Sequence, residues 1–278
     1  MSQSPTLLLL LLLIAGCQKS EHISLAPAQS PFEVFPKKFQ QNILVEHTAA
    51  EWTNVSVQAA AQLTQYQLAY PSRIHTVALH KDDWLATPYT DYFIQNHGGS
   101  THTPAAAFNR QPGILTANGE NGLSLLSPAN WLQAIQQQPL HSPIAIALQS
   151  QITGKHQAAL TVYIAARDTF DSSLRLIIYI IKNKVNSLFQ IGATSQYTHL
   201  NVLDSVHPSA EGDTIQINDA IIQNKIYQKH YPQLILPTQD LSNLSIVAAV
   251  YRQHPFDFRQ HRVLNSQKVQ LGANKYWD

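Results

Sequence analysis

The arrangement of apolar residues changes near Pro139 and Pro143, and this change most constrains the fold. Before it, apolar runs alternate with stretches whose apolar residues recur at helical spacing, a pattern typical of strands alternating with amphipathic helices. After it, short apolar runs follow one another between turn residues, which indicates two sheets burying their inner faces. The sequence therefore predicts an α/β unit at residues 39–140 and an all-β sandwich at residues 141–278.

Composition excludes several classes of function. The chain has 278 residues, long enough for two ordinary domains. Charged residues make up 13% and the formal net charge is +1, so no basic surface predicts a nucleic-acid partner. The single cysteine, Cys17, excludes a disulfide within the chain, a thiolate metal cluster and a redox cycle that uses two cysteines of this chain.

The N-terminal segment has the features of an export signal. Residues 7–14 are apolar but too few to span a bilayer, and Ala15, Gly16 and Cys17 follow. This segment resembles a bacterial lipoprotein signal peptide at residues 1–17. The resemblance implies that Cys17 carries the lipid and that the chain is anchored in the outer membrane. Residues 18–38 are polar with three prolines and predict a flexible tether.

The first unit begins with an apolar strand at residues 43–45 that leads into Trp52. Apolar residues at helical spacing then predict a helix over residues 55–70. Together with Thr103 and Pro104, this strand–turn–helix resembles a thioredoxin active site and its cis-proline position. The resemblance implies an α/β thioredoxin-like domain.

The redox pair of such a domain is missing. Aligned on Trp52, the lost cysteines correspond to Thr53 and Ser56; aligned on Thr48 and Ala49, they correspond to Trp52 and Val55. Neither alignment contains sulfur, and a hydroxyl cannot replace a thiolate in thiol exchange. We therefore predict that the domain is redox-inactive.

The two units together resemble the 28-kilodalton outer-membrane lipoprotein family. That resemblance implies a thioredoxin-like domain before an immunoglobulin-like β-sandwich. The matching pieces, individually short, occur in order along the chain at residues 43–46, 77–80, 103–105, 108–110, 190, 197–203 and 262–265.

Aromatic residues form the candidate binding edge. Trp52, Trp84, Thr103 and Pro104 are expected beside the groove in which a thioredoxin-like domain pairs with an extended peptide. Tyr89, Tyr92 and Phe93 belong to a predicted short helix, and most of these aromatic side chains are expected to close the domain core.

Histidines and carboxylates form a second candidate group. His47, His80, His97 and His102 fall in segments near the same edge, but their spacing matches no metal motif. We therefore expect polar loop residues rather than a metal site or cofactor. The carboxylates Glu51, Asp82 and Asp83 are expected to be solvated, and residues 197–200 are expected to form a packed strand.

The sequence thus predicts a lipid-anchored outer-membrane protein that binds a protein or peptide of the envelope or extracellular space and is not an enzyme. The alternative is a metal-binding or hydrolytic enzyme that uses histidines and acidic residues at the former active-site edge. Adhesion to a host or matrix protein is a third possibility, based on surface display alone.

Overall fold

The structure is a computed structural model that describes residues 30–96, 103–111, 126–170, 174–215, 220–236, 240–254, 256 and 260–278. Within these residues the protein is rich in β structure, with parallel and antiparallel pairs in one sheet. The elements are β1 (Ile43–Ala49), α1 (Val55–Ala69), β2 (Ile74–His80), α2 (Pro88–Asn96), β3 (Ala106–Phe108), α3 (Trp131–Gln136), β4 (Ile144–Gly154), β5 (Gln157–Ala166), β6 (Leu174–Ser187), β7 (Tyr197–His207), β8 (Asp213–Thr214), β9 (Lys225–Ile235), β10 (Leu244–Arg252), β11 (Arg262–Gln270) and β12 (Asn274–Lys275).

The larger sheet crosses the boundary predicted at residues 140 and 141. Its strands run in the order β11-β10-β6-β7-β2-β1-β3, and β8 pairs with β6. β1 is parallel to β2 and antiparallel to β3. The two parts of the chain join where β2 pairs in parallel with β7, at Ala78 and Val202. The β2 edge, which would otherwise leave backbone groups unpaired, is thereby partly covered by β7.

A second sheet, β12-β4-β5-β9, packs against one face of the larger sheet. The side chains of β6 alternate between two cores. Leu176 and Ile178 face the second sheet, whereas Ile177 and Tyr179 pack on the other side with Phe93 of α2. Because β6 is buried on both faces, its sequence is an almost uninterrupted apolar run.

Helices cover both faces of β1. α1 and α3 pack over Ile43 and Val45, while α2 lies on the side of Leu44. The helix predicted over residues 55–70 is confirmed as α1, and α3 follows a short 3-10 turn at Pro128–Asn130. Among the described helices, none combines the length and apolar character needed to cross a bilayer.

β9 is a strand that the sequence analysis missed. Most of its residues are exposed or half-buried, and it lies at the edge of the smaller sheet. Its alternation of polar and apolar residues is interrupted by Pro232, which an edge strand tolerates because one side of its backbone needs no partner. β9 lacks the short apolar run by which the buried strands are recognised, so the sequence did not predict it.

The tether predicted as far as residue 38 is wrong in its described part. Phe32 is 3% exposed, and its ring stacks on Tyr163 with centroids 4.7 Å apart. Phe39 is also buried, against Ala145 and Ala165. Small alanine side chains on the outer face of β4 and β5 leave room for these rings, so the chain packs on the sheet from about Phe32 onward.

Candidate functional site

The turn between β1 and α1 contains the positions of the lost redox pair. Ser56 is buried in the first turn of α1, and its hydroxyl accepts a hydrogen bond from the Ala50 N–H at 3.1 Å. Thr53 is half-buried, and its hydroxyl accepts a bond from the Val55 N–H at 3.4 Å. Both hydroxyls therefore serve the local backbone at the start of α1.

Thr103 and Pro104 lie beside the C-terminal end of β1. Their peptide bond is cis. The Thr48 N–H donates to the Ala105 carbonyl at 2.7 Å, and the Ala105 N–H donates to the Thr48 hydroxyl at 2.8 Å. Pro104 is buried and Thr103 half-buried, and the following residue, Ala105, lies against the C-terminal end of β1.

The two tryptophans of the candidate binding edge are both exposed. Trp52 has 46% and Trp84 61% of its surface accessible. The indole N–H of Trp52 donates to the Lys81 carbonyl at 2.9 Å, which ties Trp52 to the loop that carries Trp84. Most of the aromatic side chains near this edge were expected to close the domain core. Phe93 does so, at 1% exposure, but the indoles of Trp52 and Trp84 do not.

A loop from the second part of the chain covers the backbone of this turn. The Ile191 N–H donates to the Glu51 carbonyl at 2.8 Å. The Gln190 side-chain amide donates to the carbonyls of Thr53 at 2.9 Å and Ile191 at 2.8 Å, and more weakly to that of Glu51 at 3.3 Å. Contact between these distant segments was not predictable from local patterns.

His80, at the end of β2, forms a close pair with Asp83. His80 Nδ1 and Asp83 Oδ2 are 2.8 Å apart. Asp83 also accepts backbone N–H bonds from Glu51 at 3.0 Å and Leu85 at 2.9 Å. Burial opposes ionisation, but the hydrogen bonds from His80 and the two N–H groups outweigh it and lower the Asp83 pKa. Asp83 is therefore a carboxylate that orients the His80 ring.

His199 of β7 completes the group. Its ring meets the His80 ring edge-on, with centroids 4.7 Å apart. His199 Nε2 lies 3.5 Å from Glu51 Oε1, slightly beyond an ordinary hydrogen bond. Burial and the nearby His80 lower the pKa of His199 to about 4. His47 is buried close by, and burial and His80 lower its pKa to about 3. Both rings are neutral at pH 7.

A cavity of about 30 Å³ lies between β1, β2, α1 and β7. His47, His80, Gln190 and His199 are among the residues that line it. Within the described part of the chain, buried atoms without a hydrogen-bond partner include His80 Nε2, His199 Nε2, Glu51 Oε1 and Gln190 Oε1. Four such atoms in one neighbourhood are unusual, since most buried polar groups are paired.

The structure thus brings together some of the predicted residues. Glu51 lies beside His199 and Asp83 pairs with His80, so neither carboxylate is solvated as expected, whereas Asp82 is exposed. His97 and His102 lie outside the described residues. Residues 197–200 do form strand, as expected, but His199 also points at the cluster. No serine or threonine hydroxyl bonds to His80 Nε2, so the described residues contain no hydrolase triad there.

Comparison with known proteins gives one family match and several structural ones. The family model for outer membrane protein Omp28 matches residues 90–275. No curated protein matches the sequence. HBP35 of Porphyromonas gingivalis superposes with a TM-score of 0.69 at 17% identity, over 84% of this chain and 76% of that one.

Two further structures match less closely. A protein of Agrobacterium tumefaciens gives a TM-score of 0.50 at 12% identity, over 83% of this chain and 94% of that one. A domain of the outer membrane lipoprotein Omp28 from Porphyromonas gingivalis gives a TM-score of 0.30 at 17% identity, over 47% of this chain and 89% of that one. At these identities, HBP35 and the Agrobacterium protein show a shared fold alone.

Proposed function

Since the chain belongs to the Omp28 family and is therefore an outer-membrane protein, we propose that it is a lipid-anchored binding module of the cell envelope. Cys17, which lies outside the described residues, carries the lipid. The first part of the chain is a redox-inactive thioredoxin-like domain and the second an immunoglobulin-like sandwich. The module binds a protein or an extended peptide and catalyses no reaction.

The arrangement of β1, β2 and β3 supports the thioredoxin-like assignment. A parallel β1–β2 pair, an antiparallel β3 and a further antiparallel bridge from Ala106 to Leu126 form a small mixed sheet covered by α1 and α3. The chemistry of the turn supports the loss of redox function, because Thr53 and Ser56 use their hydroxyls locally and Cys17 is the only thiol.

The observation that carries the binding proposal is the exposed apolar surface beside this turn. The first part of the chain contributes the exposed side chains of Trp52 and Trp84 to this surface. Leu188 at 75%, Phe189 at 76% and Ile191 at 55% exposure lie on the loop that covers the turn. Soluble proteins rarely leave large apolar side chains clustered on the surface unless a partner covers them.

Site-specific photo-crosslinking tests this surface in intact cells. A photoreactive residue is placed at Trp52 or, as a matched control, at Tyr276, an aromatic residue that is likewise 46% exposed. We expect a discrete adduct from position 52 that Trp84→Ala weakens, and none from position 276. Equal labelling from both positions would show that the aromatic edge is not a binding surface.

An insulin-reduction assay tests the claim of redox inactivity. The full chain, purified in detergent, is compared with an active thioredoxin in the presence of dithiothreitol. We expect turnover no faster than dithiothreitol alone, because the turn offers no thiolate. Thiol-dependent turnover by the chain would refute the non-enzymatic assignment without bearing on the crosslinking result.

A further inference from the structure

A second, larger groove opens on the surface ahead of β1. It has a volume of about 780 Å³. Four segments that are distant in sequence line it: residues 37–40 before β1, residues 69–73 between α1 and β2, residues 140–141 before β4, and Arg167 after β5. Its volume lies within the range of about 300–1,000 Å³ that is typical of sites for small molecules and cofactors.

Two arginines in the walls of this groove are held in place. Arg73 Nε donates to the Gln41 carbonyl at 3.0 Å, and its Nη2 donates to the Pro139 carbonyl at 2.7 Å. In the described part of the chain, Arg73 Nη1 has no acceptor. The guanidinium of Arg167 lies over the ring of Phe39, 5.8 Å from its centroid. These two cationic groups are therefore positioned before any ligand arrives.

The groove is positively charged. Its described lining includes Lys37, Lys38, Arg73 and Arg167 but no Asp or Glu. The ion pairs of the described structure involve none of these four side chains. Because the whole chain has 18 Lys and Arg against 17 Asp and Glu, four cations without a carboxylate are a local excess. Such an excess of one sign in a concave surface attracts an anion.

The same groove presents an apolar surface. Phe39 is buried at its floor, Tyr70 is half-buried, and Leu140 is 67% exposed. A small inorganic anion would leave this apolar surface uncovered. The headgroup of a phospholipid combines a phosphate with neighbouring hydrocarbon, so it can contact both the cations and the apolar side chains.

The groove and the aromatic edge lie at opposite ends of β1 and β2. Arg73 immediately precedes β2, whereas Trp52 and Trp84 follow the C-terminal ends of these strands. Each strand has seven residues and so spans about 23 Å. Lys37 stands only 20 positions after Cys17 in the sequence. The groove end can therefore face the bilayer while the aromatic edge faces away from it.

We propose that this groove binds the phosphate-bearing headgroup of an anionic membrane phospholipid and so holds one end of the protein against the membrane. Lys37, Lys38 and Arg167 contact the phosphate, and Leu140 lies against the hydrocarbon next to it. The closeness of the groove to the bilayer rests on the lipid anchor proposed for Cys17. The site is independent of any partner at the aromatic edge.

Photo-crosslinking in nanodiscs tests the proposal. The full chain carries a photoreactive residue at Leu140 or, as a matched control, at Ile235, which is 66% exposed and lies at the opposite end of β5 from Arg167. The discs contain phosphatidylcholine alone or equal parts of phosphatidylcholine and phosphatidylglycerol, and mass spectrometry measures the lipid adducts. We expect phosphatidylglycerol adducts from position 140 and none from position 235.

Removal of charge provides the second measurement. With the photoreactive residue at position 140, Lys37→Gln/Lys38→Gln should lower the yield of phosphatidylglycerol adduct roughly fivefold or more, because basic residues near an anionic surface strengthen its binding. Lys155→Gln/Lys184→Gln removes two exposed lysines outside the groove and should leave the yield unchanged. Inorganic phosphate, added at constant ionic strength, should not compete.

Equal labelling from positions 140 and 235, equal labelling in the two kinds of disc, or no effect of Lys37→Gln/Lys38→Gln would overturn the proposal. Competition by inorganic phosphate would also overturn it and indicate a site for a free anion. The intact mass of the purified chain reports the lipid at Cys17 separately. A lipidated chain that is not labelled would refute the groove alone, an unlipidated chain that is labelled would refute the anchor alone, and a chain with neither would refute both.

Discussion

Glu46 is the buried charge whose removal should cost the protein most. It is fully buried in β1, and Arg110, after β3, donates to its two oxygens at 2.9 and 2.8 Å. The Tyr179 hydroxyl of β6 donates to Glu46 Oε1 at 2.6 Å. The guanidinium also lies over the rings of Phe93 and Tyr251. The three polar groups thus connect the first and second parts of the chain.

Glu46→Gln preserves the shape of the side chain but leaves Arg110 buried without a counter-charge. Breaking a buried pair by removing one partner typically costs about 3–5 kcal/mol, whereas replacing both partners with apolar residues is often nearly neutral. We therefore expect Glu46→Gln to lower the free energy of unfolding by ~3–5 kcal/mol, and the double variant Glu46→Leu/Arg110→Met to cost less than the single one.

Urea unfolding followed by fluorescence and by circular dichroism measures these changes. Asp213→Asn serves as the control, because Asp213 and Lys229 form a partly exposed ion pair, with 31% and 24% of the side chains accessible, whose loss should cost below about 1 kcal/mol. If Glu46→Gln lowers the free energy of unfolding by less than about 1 kcal/mol, the reasoning is refuted, because a buried Arg110 without its counter-charge should cost more than that.

Three further predictions concern pH, a turn and the N-terminal segment. Burial and Lys268 lower the pKa of His75 to about 3, so the unfolded chain gains a proton below pH 6.5 that the folded chain does not. His75 should therefore destabilise the protein by about 2 kcal/mol between pH 7 and pH 5, a loss that His75→Gln removes from the pH profile of urea unfolding. Gly192 has φ +89°, and a Cβ added there would lie 2.6 Å from the Cβ of Asn54. Gly192→Ala should therefore destabilise the protein by about 1–3 kcal/mol and speed proteolysis of the 188–191 loop. Unchanged stability would contradict this prediction. Phe32→Ala should expose residues 30–38 to limited proteolysis within minutes, whereas Val34→Ala, at a side chain 48% exposed, should not; equal cleavage of the two variants would contradict the packing argument.

Much of the fold was predictable because buried positions are apolar and recur at the spacing of the strand or helix that contains them. β2 and β6 are apolar runs since both faces are covered, and α1 shows helical spacing. β9 was not predicted, because an edge strand that is largely exposed needs no apolar run. The pairing of β2 with β7 at Ala78 and Val202 was not predicted either, because two strands 124 positions apart leave no local signal in the sequence.

The candidate site was predictable only in its first half. The turn at Trp52 and the position of Thr103 and Pro104 follow from the order of strand, turn and helix. Gln190 and His199 could not be placed, because nothing in residues 188–200 indicates which part of the first domain they meet. Glu51 and Asp83 were expected to be solvated, since an acidic loop residue is usually exposed unless a distant segment covers it.

The seam between β2 and β7 has a consequence for how this protein can evolve. Glu51 and His80 come from one side of that seam, and Gln190 and His199 from the other. Exchange of either part for a homologous domain from another gene would remove two of these four side chains and dismantle the cluster. The cluster therefore passes to a descendant intact only when the two parts of the chain are inherited together.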